Sequence, residues 1–136
     1  MRRFFSAQPI AQSQGVGIVR ILVGVALIYH GCEILNHSAM AEYFKWDLYK
    51  NNPAAKFLVY GGKLSELLCG ILLLLGFLTR IACLMLIAAM CYIAFVIGNG
   101  RIWYEDQYPI LFAVIGVIFI FTGPGAYSID KKLFNH

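Results

Sequence analysis

The chain has 136 residues, of which 60% are hydrophobic and only 13% charged, with a mean hydropathy of +0.72. A soluble domain of this size carries about 25% charge, so the composition describes a membrane protein of a single domain. The net charge of +4 is scattered over segment ends, with no basic run, which excludes a nucleic-acid groove.

Residues 1–14 (MRRFFSAQPIAQSQ) are polar and read as an arm at the membrane surface. Arg2, Arg3 and Phe5 faintly match a twin-arginine export signal, with Ala39-Met40-Ala41 as a cleavage site. Arg20 interrupts the apolar core such a signal needs, so the first span is expected to be permanent. That span runs over residues 15–35. Gly17, Gly24 and Gly31 recur every seven residues and form one side of a helix that another helix can approach closely. Arg20 lies near enough to the span's end to snorkel, and His30 follows about 15 Å further along.

Residues 36–57 mix Glu42, Lys45, Asp47, Lys50 and Lys56 with Met40, Tyr43, Phe44 and Trp46, which predicts a short amphipathic helix lying in the interface. The second span, residues 58–78, holds Lys63 and Glu66 inside an apolar run. An ionisable group in hydrocarbon costs several kcal/mol unless a partner meets it. Gly62, Glu66 and Gly70 share one face of this helix, where the small residues allow tight contact with a neighbouring helix. The third span, residues 81–97, is uncharged and follows so closely that the two must form an antiparallel hairpin. After Gly98-Asn99-Gly100 comes an interfacial belt of Arg101, Trp103, Tyr104, Glu105, Asp106 and Tyr108. Pro109 opens the fourth span, residues 108–122, and Gly123-Pro124-Gly125 stops it.

The expected fold is therefore all-α: a transmembrane antiparallel four-helix bundle with a short interfacial helix between spans one and two. Both termini then share one side with Arg2, Arg3, Arg80, Lys131 and Lys132, against Lys45, Lys50, Lys56 and Arg101 on the other, a bias toward cytoplasmic termini. The glycine faces permit a homodimer.

Threading the spans sorts the polar residues into two levels. His30, Glu33, Lys63, Glu66 and Glu105 gather at the outer level as candidate ligand-binding residues, with His30 and Glu66 the candidates for proton transfer. At the inner level Arg20 and Asp130 are positioned for an ion pair that ties the tail under the bundle. Cys32, Cys69, Cys83 and Cys91 contain no Cys-x-x-Cys pair and read as small buried hydrophobes. No Cys/His spacing suits zinc, and His37 and His136 lie outside the spans, which leaves haem only a histidine with Met85 or Met90 and makes it a poor fit.

Arg20-x-x-x-Gly24, His30-Gly31, Glu66-x-x-x-Gly70, Leu75-Gly76-Phe77-x-Thr79-Arg80 and Gly123-Pro124-Gly125-x-x-Ser128-x-Asp130, in that order, resemble the DoxX family of small four-helix membrane proteins, from about residue 16 to 132. The resemblance implies a prokaryotic cytoplasmic-membrane protein associated with a quinone-linked oxidoreductase complex. The chain has no intrinsic cofactor of its own on this reading. A quinone near His30 and Glu66 would be its ligand, and a soluble or membrane redox partner would deliver electrons. The alternative is a non-catalytic membrane scaffold or small transporter whose polar levels only fix helix register.

Overall fold

The computed structural model describes residues 8–101, 103 and 107–134. Among them every regular element is helical. Helix α1 spans Gln12–Gly31 and runs on into a 3-10 turn, Cys32–Leu35; two short helices follow, α2 (His37–Tyr43) and α3 (Asp47–Lys50). Helix α4 covers Ala55–Leu75, α5 covers Thr79–Tyr92 and continues as a π-helical segment over Ile93–Ile97, α6 covers Gln107–Thr122, and α7 covers Ile129–Phe134.

Three of these, Gln12–Leu35, Ala55–Leu75 and Thr79–Ile97, are long and apolar enough to cross a membrane. Helix α6 is equally apolar but has 16 residues, about 24 Å of helix against a ~30 Å hydrocarbon core. The expected interfacial helix is two short ones. Asn36 caps α2 by accepting from the Ser38 and Ala39 amides, and the chain breaks at Trp46, which is extended (φ −67, ψ 141) and immediately precedes α3.

Helix α1 packs on α4, α4 on α5, and α5 on α6. The α1–α4 seam is set by glycine. A Cβ at Gly24 would lie 2.6 Å from the Leu74 nitrogen, and one at Gly31 would lie 2.5 Å from that of Leu67. Numbers climb along α1 as they fall along α4, so the two run antiparallel. The heptad glycines are thus occupied within the chain, Gly17 against Ala126, and present no small-residue face to a second copy. The α4–α5 connection is closed by Gly76 in the left-handed region, with the Phe77 amide donating to the Leu72 carbonyl and the Gly76 amide to that of Leu73.

The main core, including Leu27, Leu73, Cys69, Cys83, Leu86 and Phe119, lies between α1, α4, α5 and α6. A smaller one, Met40, Tyr49, Ala55 and Val59, pins the α2–α3 segment onto the start of α4. Apolar side chains such as Leu22 and Phe121 cover the outside, as a lipid-facing surface requires.

Candidate functional site

Lys63 and Glu66 stand three residues apart on α4, so both project from one face, and the Lys63 ammonium lies 3.0 Å from Glu66 Oε2. The same ammonium lies 2.9 Å from Glu33 Oε2, brought there by the 3-10 turn that ends α1. Tyr43 of α2 donates its hydroxyl to that same Glu33 oxygen at 2.6 Å and places its ring 5.0 Å from the ammonium. Four side chains from three helical segments thus close one network. Both α4 members are buried, Lys63 at 9% and Glu66 at 7% exposure.

His30 joins from outside. Its Nδ1 is 3.8 Å from Glu33 Oε1 and its side chain is 53% exposed. Gly31, the next residue, lies against Leu67 of α4. Among the described residues, however, His30 makes no direct contact with Glu66; Glu33 and Lys63 stand between them. Glu105, the fifth residue expected here, lies outside the described residues, as do Tyr104 and Asp106.

Beyond Lys63 and Glu66 opens a cavity of about 590 Å3 whose walls come from α3, α4, α5 and the π-helical segment. Trp46, Tyr49 and Tyr92 supply aromatic surface, and Ala88, Ala89 and Ile93 supply aliphatic surface. Lys63 and Glu66 are the only charged residues among the described lining. Gly62 was expected to make a close helix contact together with Gly70; instead a Cβ at Gly61 or Gly62 would meet nothing within 4 Å, and both glycines line the cavity. Gly70 does make the close approach, against the Ile28 nitrogen.

Two phenols outside the spans respond to this setting. Burial and donation to Glu33 push Tyr43 above the ordinary tyrosine range, and burial with a hydrogen bond to Tyr92 pushes Tyr49 up to about 12. Both stay protonated at neutral pH and serve as donors. Neither tyrosine was expected at the site. Position gave the available signal: Tyr43 sits on a short amphipathic segment that the chain must fold back over the end of α1.

At the other end, Arg20 and Asp130 do not form the expected ion pair. Arg20 is fully buried, and its guanidinium donates to the carbonyls of Leu73, Leu74, Pro124, Ala126 and Tyr127. Asp130 accepts instead from the Leu78 and Thr79 amides, each at 2.8 Å, and so caps the start of α5. Arg20 has five donors in a planar fork, and the last turn of α4 and the loop after α6 offer carbonyls in matching directions. These absorb the arginine before a carboxylate can.

The family model described as DoxX matches residues 15–99, which include Arg20, His30, Glu33, Lys63 and Glu66. The chain belongs to the DoxX family. This DoxX protein is 29% identical over 129 residues to a Haemophilus influenzae protein named only as uncharacterized, with 88% of this chain and 91% of the relative covered. No solved structure matches it. Asp130 and the Gly123-Pro124-Gly125 stop lie beyond the matched segment.

Proposed function

We propose that this DoxX protein is a membrane subunit of a quinone-linked oxidoreductase complex in a prokaryotic cytoplasmic membrane. In this reading α6 makes a fourth crossing, the bundle is antiparallel, and the termini are cytoplasmic. One observation carries the functional part: a buried Lys63–Glu66 pair faces into an otherwise uncharged, aromatic-walled cavity. About 590 Å3 lies within the range of drug-sized ligand sites, which are mostly apolar with a few placed polar groups. A quinone ring suits such a lining, since its carbonyl oxygens accept hydrogen bonds and the rest is apolar.

When bound, a quinone supplies two-electron, two-proton chemistry, with electrons delivered by a partner subunit. The residues of this chain hold and move the protons. Glu33 and Glu66 share one ammonium, so with all three ionised the network carries a net charge of −1 and has room for one proton. His30, exposed and 3.8 Å from Glu33, connects that network to the surface. Lys63 and Glu66 would hold such a ring at the cavity wall, Lys63 as the donor to an oxygen and Glu66 as the group that gives or takes a proton.

The test is quinone binding by the purified full chain. A short-chain quinone is expected to raise the melting temperature, since ligand at 100 times its dissociation constant stabilises by about 2.7 kcal/mol. Glu66→Gln with His30→Ala should abolish the effect, and Gly61→Val, which fills open space, should weaken it at least tenfold. Absence of binding by the natural chain, or equal binding by all variants, would overturn the assignment.

A scaffold role is favoured by one feature: within the network each charged group already has a partner, as helix glue requires. Under that reading Glu66→Gln lowers the melting temperature while no quinone-dependent signal exists to be lost. A transporter would instead show solute flux in liposomes.

A further inference from the structure

We propose that a second cavity, at the Arg20 end of the molecule, binds the headgroup of an anionic phospholipid. The cavity is about 600 Å3 and lies between the start of α5, the start of α1 and the tail helix α7, with Ser13, Thr79, Arg80, Pro124 and Lys131 on its polar side. Val16, Leu78, Ile81 and Phe134 form its apolar side.

The charge at this end is unbalanced. Arg20, Arg80, Lys131 and Lys132 gather here, and the acid facing them among the described residues is Asp130, whose two oxygens are both held by backbone amides. Arg20 is committed to carbonyls and cannot reach a ligand. Arg80 is exposed and has no hydrogen-bond or ion-pair partner among the described residues. Among the described residues the Lys131 ammonium bonds only to the Ser13 hydroxyl, at 3.4 Å, which orients it without neutralising its charge. The Thr79 hydroxyl is buried in the cavity wall and has no hydrogen-bond partner among the described residues. Two exposed cations at one concavity, Arg80 and Lys131, match the oxygens of a phosphodiester, which guanidinium binds in bidentate fashion.

The apolar half of the lining points to a lipid in place of free phosphate. Ile81 and Leu84 on α5 are 52% and 61% exposed, so the apolar wall continues along the helix in the direction acyl chains would take. Phosphatidylcholine brings its own ammonium, and the one acid in the described lining, Asp130, already gives each oxygen to a backbone amide. A headgroup with net negative charge leaves no such group stranded.

The experiment compares the purified full chain in detergent with added phosphatidylglycerol, phosphatidylcholine or inorganic phosphate, reading melting temperature and lipid retained in native mass spectrometry. Phosphatidylglycerol is expected to raise the melting temperature by several degrees more than phosphatidylcholine and to be retained. Arg80→Gln with Lys131→Gln should abolish that difference, while Arg80→Lys with Lys131→Arg keeps it. Lys50→Gln with Lys56→Gln, which removes the same charge from the other end, should also keep it. The proposal is overturned if the two lipids act alike on the natural chain, if inorganic phosphate gives the full shift, or if the Lys50/Lys56 variant loses selectivity as completely as the Arg80/Lys131 variant.

Discussion

The molecule buries charge at both ends, and the two ends treat it differently. At one, Arg20 directs its guanidinium at five backbone carbonyls, and Asp130 gives both oxygens to backbone amides. Those charges do the work of caps, joining the end of α4, the start of α5 and the tail into one knot. At the other end Lys63, Glu33 and Glu66 satisfy one another through side chains, and two of them border open space. A charge tied to backbone is fixed by the fold itself. A charge tied to other titratable groups beside a cavity can change its proton count without dismantling the fold, and this separates the structural end from the candidate site.

Removing Arg20 should separate the ends most sharply. Arg20→Met takes a donor from five carbonyls, and four of them, those of Leu74, Pro124, Ala126 and Tyr127, accept no other hydrogen bond among the described residues; at about 1–3 kcal/mol each, that is a large part of the 5–15 kcal/mol typical of a whole domain. No monodisperse protein is expected in detergent. Lys63→Met should cost about 3–5 kcal/mol, because two carboxylates are left facing each other. Unlike the arginine knot, this loss is repairable: Glu33→Gln and Glu66→Gln added to Lys63→Met should restore most of the melting temperature while eliminating quinone binding. If the triple variant remains as unstable as Lys63→Met, the outer network is structural too, and the contrast between the ends fails.

Glycine gives a smaller version of the same contrast. Gly24→Val drives a side chain into the α4 backbone and should cost about 1–3 kcal/mol, whereas Gly61→Val enters open space and should change stability by no more than about 1 kcal/mol. The mildest test is alkaline titration of Tyr49. Its phenol is raised in the folded state, so its contribution to stability is complete below about pH 10 and disappears as pH climbs through about 12. Tyr49→Phe should remove that part of the alkaline loss, as read by denaturation at stepped pH.

The long helices were legible because membrane-spanning length and apolarity are properties of single segments. Gly31 packs against Leu67, which brings the end of α1 beside the middle of α4. What threading could not supply was rotation about each helix axis. It set His30 and Glu66 face to face, but His30 points outward and Glu33, three residues on, takes the inward position. The Arg20–Asp130 pair failed for another reason. Charge attraction was weighed against water and lipid, while the competing partners were backbone carbonyls, which no residue letter displays. The cavity was equally invisible, since it is made by the spacing between α4, α5 and the α3 segment, and Gly61 and Gly62 signal open space as readily as close contact.

The π-helical stretch at the end of α5 fits one residue more between Ile93 and Ile97 than regular winding would hold, with the Gly98 amide reaching back five residues to the Ile93 carbonyl at 2.9 Å. Each helical residue turns the chain by about 100°, so a family member shorter by one position here would wind regularly and present a different set of side chains to the cavity that Ile93 and Ile97 line. Loop-free single-residue deletions at this point are therefore a ruler for whether evolution has kept the hollow or only the frame around it.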